Sequence, residues 1–349
     1  MNNPHLISHR ACLLDALKQI NTLGRSPLVL FVLDDDNRMV GTLTDGDSRR
    51  WLTEKGGSLD TTLDQVMHRN FRFVRQSSKN QLEQIIAYRE EKMKLVPVLD
   101  DDNHVVDIVN FDTMQSMLPI DAVLMAGGKG VRLRPLTETT PKPLLPVGGK
   151  AIIDHNIDRL MQCGVKHISV TVNYLAEQLE AHFAEPRGDV QVECIHEPKF
   201  LGTIGAVQFV PKFYNDVVLV MNSDLFTNID YEDFYLNFLR SGAAMSAAAV
   251  PYTISVPYGI FDIHGDSDIV GIKEKPVYNY FANAGLYLIK REVLDAIPRD
   301  EFFNATDLIE QLINEGRKVV RYPITGYWLD IGSKEEYAKA NELVKHIRR

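Results

Sequence analysis

An apolar run, Ile120–Met125, leads directly into AGGKGVRLRPLTETTPKPLLPV over residues 126–147. After Ala126, the glycines Gly127, Gly128 and Gly130 let a backbone approach phosphates closely and aim N–H groups at them. Arg132 and Lys142 follow, ten positions apart, and supply cationic charge for a polyphosphate. The third glycine of G-x-G-x-x-G is absent, and no G-K-[ST] closes the loop. The stretch is therefore neither a dinucleotide fingerprint nor a Walker loop. Asp224, preceded by Asn222 and Ser223, ends the apolar run Val217–Met221, and a carboxylate at a strand end is a good seat for Mg2+. In EPKFLGTIGA, residues 197–206, Glu197 could accept hydrogen bonds from the ring N–H and amino group of guanine. The acceptor carbonyls of uracil or thymine would suit it less well.

These residues need a frame. From 119 onward apolar strands (120–125, 168–172, 190–195, 217–221) alternate with helical spacings, Ile153, Ile157, Leu160 and then Leu175, Leu179, Phe183. That alternation predicts a mostly parallel sheet covered on both faces, with ligands at the carboxyl ends of its strands. Residues 243–289 are richer in strands and predict an excursion from the main sheet. A short helical pattern over 112–118, followed by Pro119, places the domain boundary near 118–120.

Ahead of that boundary the chain repeats itself. LVLFVLDDDNRMVGTLTDGD begins at Leu28 and KLVPVLDDDNHVVDIVNFDT at Lys94, an offset of 66 positions. Each copy is an apolar run, a DDDN turn and a second run, with a helical pattern before it. The spacing predicts two helix–strand–turn–strand units, about 1–60 and 61–118, each burying its sheet against the other.

Composition sets the outer bounds. At 349 residues the chain suits two or three domains, and 45% hydrophobic with 24% charged content is that of a globular protein. A net charge of −9 argues against a nucleic-acid surface. The apolar runs are too short to span a membrane, and residues 1–10 lack the apolar centre of a signal peptide. Cys12, Cys163 and Cys194 show no metal-ligand or CxxC spacing, which predicts reduced thiols and a cytoplasmic protein. His155, His182 and His196 show no metal-ligand spacing either.

The 126–147 string closely resembles the nucleotide-binding signature of sugar-1-phosphate nucleotidylyltransferases, G-G-x-G-x-R-L-x-P-L-T followed by P-K-P-L-L-P-V. Val131 stands where that family usually has threonine, which removes one hydroxyl contact. The resemblance implies an α/β, Rossmann-like catalytic domain over 119–349. In it Arg132 grips the triphosphate and Lys142 neutralises phosphates on the reacting side. It implies that the segment holding Gly202 and Thr203 cradles base and ribose, and that Asp224 and Asp330 bind Mg2+. Gly259, Glu274 and Asn283 would hold the sugar, and Lys275 its phosphate. The substrates implied are a nucleoside triphosphate, GTP favoured over UTP, and a hexose- or hexosamine-1-phosphate. No catalytic base is needed, because the sugar phosphate is already ionised. Residues 1–118 resemble a tandem CBS-domain pair, an α+β module. Its G-x-x-T-x-x-D places Thr44 and Asp47 on the ribose of an adenine nucleotide, while the second copy has Asn110 and Thr113 there. Such modules imply a homodimer or higher homo-oligomer. The fusion resembles guanylyltransferases of legionaminic-acid-type surface sugars, with mannose-1-phosphate guanylyltransferases and uridylyltransferases as alternatives. A nucleotide-sensing regulator without activity is the other class. The end at Arg349 predicts no β-helix or acetyltransferase domain after the catalytic one.

Overall fold

In the computed structural model of the chain, which describes residues 3–347, Asp34 and Asp100 organise two turns of the same build. Asp34 Oδ1 accepts the amides of Asp36 and Arg38 at 2.9 and 2.8 Å, and Asp100 Oδ1 those of Asp102 and His104 at 3.0 and 2.8 Å. Asn37 and Asn103 take the left-handed position in each turn, φ 61° and 70°, which asparagine tolerates. The first turn lies in the run β1 (Leu6–Ser8), α1 (Leu13–Thr22), β2 (Val29–Leu33), β3 (Met39–Thr44), continued by α2 (Asp45–Glu54). The second lies in β4 (Val74–Arg75), α3 (Gln81–Glu90), β5 (Leu95–Leu99), β6 (Val105–Asn110).

Both three-stranded sheets have the order β1-β2-β3 or its equivalent β4-β5-β6, with the first strand parallel to the second and the third antiparallel. Phe31 and Met39 of one sheet share a buried cluster with Leu95 and Leu99 of the other, so neither sheet buries its face alone. The helical pattern over 112–118 does not become a helix. Thr113 and Met114 amides return to Asn110 O at 3.1 and 2.8 Å, and the chain then straightens. Seven residues cannot recover the cost of nucleating a helix without a packed face. Compact units meet between Met117 and Leu118.

Unit 118–349 is built on a seven-stranded sheet. Its elements run β7 (Asp121–Met125), α4 (Ile152–Gln162), β8 (His167–Val172), α5 (Ala176–His182), β9 (Val192–His196), β10 (Val217–Asn222), β11 (Leu225–Thr227) and α6 (Tyr231–Ser241). They continue through β12 (Met245–Ser255), β13 (Ile260–His264), β14 (Asp268–Lys273), β15 (Val277–Lys290), α7 (Ala305–Asn314), β16 (Val319–Pro323), β17 (Trp328–Asp330) and α8 (Lys334–Ile347).

The sheet order is β9-β8-β7-β10-β15-β12-β16. β7 to β10 are mutually parallel, β15 is antiparallel to β10 and β12, and β16 is parallel to β12. β7 lies between β8 and β10 with Val123 and Leu124 fully buried, the continuous apolar reading expected of a strand covered on both faces. β12 and β15, at 11 and 14 residues, outrun the 5- and 6-residue strands beside them. Their pairing continues to Ser255 and Val277, and β13 and β14 form a separate hairpin beyond it. Among the described residues no helix is long and apolar enough to cross a membrane.

Candidate active site

The parallel strands β7 and β10 end side by side, Met125 opposite Asn222, and both lead into loops that carry charge. The β10 loop is tied back at once: Ser223 donates its amide (3.2 Å) and hydroxyl (2.7 Å) to Met125 O. From α4, Asn156 is 2% exposed and donates to Leu225 O at 2.8 Å and Ser223 O at 3.4 Å, the carbonyls on either side of Asp224. Arg159, one turn on, bonds the carbonyls of Thr227 and Ile229. β11 then pairs with β17 so that Leu225 lies opposite Asp330, and Ile331 donates to Asp224 O at 3.1 Å. Two carboxylates 106 positions apart (224 to 330) are thereby brought to one point.

Lys142 enters between them from the PKP segment. It is 9% exposed, ion-paired to Asp224 Oδ2 and 3.9 Å from Asp330 Oδ1. A buried ammonium persists only when paired, and here two carboxylates share it. Burial and the neighbouring Asp224 push the Asp330 carboxyl above the usual carboxylate range, opposed by Lys142. Asp224 Oδ1 is buried without a hydrogen-bond partner. An orphaned carboxylate oxygen beside a second carboxylate is a hard, anionic donor set suited to Mg2+. That ion is usually held by one or two carboxylates plus substrate phosphates. Among the described residues no group of three or more His, Cys, Asp or Glu is placed to hold a metal. Arg132 lies across Gly332, its Nη2 2.7 Å from where a Cβ would project, and its charge reaches Asp330.

The glycine loop closes the other side. Ala126 donates to Thr171 O at 3.0 Å, which fixes the loop's start on β8. A side chain at Gly127 would collide with Glu197 Oε1, so the backbone there lies flat against that carboxyl, while Gly128 faces open space. Gly130 O accepts the Thr137 hydroxyl at 2.8 Å.

Glu197 is only 4% exposed, and its carboxyl accepts from Leu201 N at 3.4 Å and from the Thr171 hydroxyl. Burial raises its pKa, and the carboxyl joins the Leu201 loop to β8. The Thr203 hydroxyl likewise accepts the Ala305 amide at 2.9 Å at the start of α7. Gly202, at φ 82°, is where the turn needs glycine, since a Cβ would lie 2.6 Å from Phe303 O.

The residues read as a sugar site lie on or beside β13, β14 and β15. Gly259 and Glu274 are neighbours across the β13–β14 hairpin, a Cβ at Gly259 falling 3.0 Å from Glu274 Oε2. Lys275 sits in the left-handed region at φ 42° and is exposed. Asn283 donates to the Tyr287 hydroxyl at 2.8 Å and accepts the Gly285 amide at 3.0 Å. Among the described residues no hydrogen bond or ion pair joins these four to Lys142, Asp224 or Asp330. In the first unit Thr44 and Asp47 bond each other as a capping box at the start of α2: Thr44 Oγ1 donates to Asp47 at 2.7 Å and accepts the Asp47 amide at 3.1 Å.

Sequence reasoning missed Asn156 and Arg159, whose partners are backbone carbonyls of a distant loop and leave no motif. It also missed Glu336, which accepts the Gly332 amide at 3.1 Å and faces Asp330.

Known proteins are similar to the second unit of this chain. Residues 121–346 match the nucleotidyl transferase family. Mannose-1-phosphate guanylyltransferase of Mycobacterium tuberculosis is 32% identical over 237 residues, 65% of this chain and 66% of that protein. UTP–glucose-1-phosphate uridylyltransferase of Synechocystis is 28% identical over 63% of this chain and 62% of the relative. The chain thus spans somewhat under two thirds of the length of these curated relatives. The crystal structure of HddC from Yersinia pseudotuberculosis superposes with a TM-score of 0.51 at 26% identity, over 64% of this chain and 99% of that one.

Proposed function

We propose a reaction for this chain, which belongs to the nucleotidyl transferase family: a nucleoside monophosphate passes from a nucleoside triphosphate to a hexose- or hexosamine-1-phosphate. A phosphate oxygen of the sugar-1-phosphate forms a bond to the α-phosphorus. The bond from that phosphorus to the β-phosphate oxygen breaks, and pyrophosphate leaves with the electron pair. The attacking oxygen is already anionic at neutral pH, so the site needs no general base. Its task is to hold two polyanions in line and to offset their repulsion. The observation that carries this reading is Lys142 held between Asp224 and Asp330 beneath the glycine loop, with Arg132 alongside.

In this reading the amides of Gly127, Gly128 and Gly130 seat the triphosphate. Arg132 balances the charge of the leaving pyrophosphate, and Lys142 that of the reacting phosphates. Asp224 and Asp330 would hold Mg2+, which when bound adds positive charge on the phosphates. Glu274, Lys275, Gly259 and Asn283, on the strand excursion, are the proposed sugar contacts, with Lys275 on the sugar phosphate. GTP is the proposed donor, because the Mycobacterium relative is a guanylyltransferase. The uridylyltransferase of Synechocystis supports UTP as the second reading.

For residues 3–117 we propose a tandem CBS-type module that takes an adenine nucleotide and tunes the transferase. The two sheets of identical order support it. A ribose at Thr44 and Asp47 would have to exchange places with part of their capping box.

The test is pyrophosphate release with Mg2+. GTP, UTP, CTP, dTTP and ATP are crossed against mannose-, glucose-, glucosamine- and N-acetylglucosamine-1-phosphate, with and without AMP. One GTP-dependent pair well above the rest is the expected result. Preference for UTP selects the second reading, and silence throughout removes the sugar-phosphate assignment.

A further inference from the structure

The two repeats of the first unit differ at the turn end of their sheets. Ser8 lies opposite Leu33 in the first sheet and Arg75 opposite Leu99 in the second, so Ser8 and Arg75 hold equivalent positions. In the second repeat the Arg75 guanidinium lies on the DDDN turn. It donates to Asp100 O and, at 2.9 Å, to Asn103 Oδ1, with its central carbon 4.9 Å from the centroid of the Phe73 ring. The first repeat builds the same turn, with Asp34 and Asn37 in place of Asp100 and Asn103. There Ser8 ends at its hydroxyl, which accepts the Arg10 amide at 3.2 Å. A cavity of about 600 Å3 lies at this point, lined by Ser8, Asp34, Asp35, Asn37 and His104, with Leu6 at the position of Phe73.

The chain's own cations do not replace Arg75. Arg10 pairs with Asp35, as the Ser77 hydroxyl donates to Asp101 Oδ1 at 2.6 Å in the second repeat. Serine and arginine have exchanged places, 8 and 10 against 75 and 77. Asp100 has His104 Nδ1 at 3.0 Å from its Oδ2, whereas Asp34 pairs with no cation among the described residues. Nor does any described side chain donate to Asn37 Oδ1 or Asp34 O.

We propose that this cavity binds a small molecule through a guanidinium group, which takes the place that Arg75 takes in the second repeat. A guanidinium presents paired N–H donors in a fixed plane, and a carbonyl and an asparagine oxygen set as they are around Arg75 accept two of them. Its weak hydration suits a wall that is apolar at Leu6, and the unpaired Asp34 favours a positive charge. The volume falls among those of small-molecule sites, about 300–1,000 Å3, and leaves room for an aliphatic tail. Thr44 and Asp47 lie at the other end of the strands, since Thr44 pairs with Val29 at the start of β2 and the turn follows Leu33. The site requires neither the transfer reaction nor an adenine nucleotide.

The test is isothermal calorimetry of the full chain with agmatine, an alkyl guanidinium, up to millimolar concentration. The control is 1,4-diaminobutane, which carries an ammonium in its place. Saturable binding of agmatine, about tenfold or more tighter than the diamine, is expected. Ser8→Arg puts the chain's own guanidinium into the cavity and should abolish that binding while raising the melting temperature. Asn37→Gly suits the left-handed turn position, φ 61°, and removes the acceptor. It should weaken binding about 10–100-fold, and it decides the matter alone if Ser8→Arg does not fold. No saturable heat with the wild type overturns the proposal. So does equal binding of the diamine, which would be general attraction to a chain of net charge −9. Agmatine binding that survives unchanged in either folded variant overturns it as well.

Discussion

Lys142 owes its buried position to two carboxylates, and those carboxylates owe their proximity to Lys142. In the proposed reaction a charge in that position would act on phosphates through a medium poorer than water at screening it. Replacing Lys142 by alanine is expected to lower kcat for pyrophosphate release by about 10²–10³-fold, the scale of a lost preorganised charge. Asp224→Asn should fall as far, and circular dichroism should show both variants folded. Gly127 makes a different prediction. Gly127→Ala puts a methyl into the Glu197 carboxyl and must shift the phosphate loop. It should reduce kcat/KM for the triphosphate about 10–100-fold while leaving KM for the sugar phosphate nearly unchanged.

The loop itself was legible in the sequence, because its glycines, Arg132 and Lys142 form one local string. The protein contacts of Glu197 were not. Thr171 and Gly127 approach that carboxyl only through the fold. The Thr44–Asp47 spacing carried two meanings. A threonine followed three positions later by an acid is also a capping box, and that is the bond the structure makes.

At the scale of elements, α4 holds the active-site loop by its alternate carbonyls. Asn156 takes those of Ser223 and Leu225, and Arg159 those of Thr227 and Ile229. Asn156→Ala leaves buried carbonyls unpaired and is expected to cost about 1–3 kcal/mol of stability in urea unfolding. It should also raise the Mg2+ concentration needed for half-maximal rate. A merely structural loss would leave that concentration unmoved. The strands and helices that carry these residues were predictable from apolar spacing, whereas the grip was not, since it ends on backbone atoms some 70 positions away.

In the first unit, burial alone would raise the Asp47 carboxyl. The hydroxyl and amide of Thr44, with Arg50, outweigh it and hold the pKa below the usual value. A carboxylate depressed in this way adds stability above the ordinary carboxylate range, and the gain fades as pH falls through its folded pKa. Asp47→Ala should therefore cost about 1 kcal/mol at neutral pH. The gap to wild type should close in acid, as thermal melts across pH will show. The expected helix over 112–118 failed for lack of a face to bury, a fact that spacing alone does not contain.

Across the whole molecule, the chain forms two compact units. The unit from 118 onward carries the family match and every charge that the proposed transfer uses. The proposed sugar contacts sit on the excursion formed by β12 to β15, the part of the sequence that was hardest to assign to a sheet. Alternation of apolar residues announced strands there, but only pairing partners could say that two of them leave the main sheet.

The central claim is transfer to a sugar phosphate at the Lys142 centre, and the most direct test is 31P NMR of the full chain with Mg2+, GTP and the best sugar-1-phosphate. The account predicts equimolar nucleotide sugar and pyrophosphate, formed only when the sugar phosphate is present and lost in Lys142→Ala. Pyrophosphate accompanied by free nucleoside monophosphate, or turnover that survives Lys142→Ala, would contradict it.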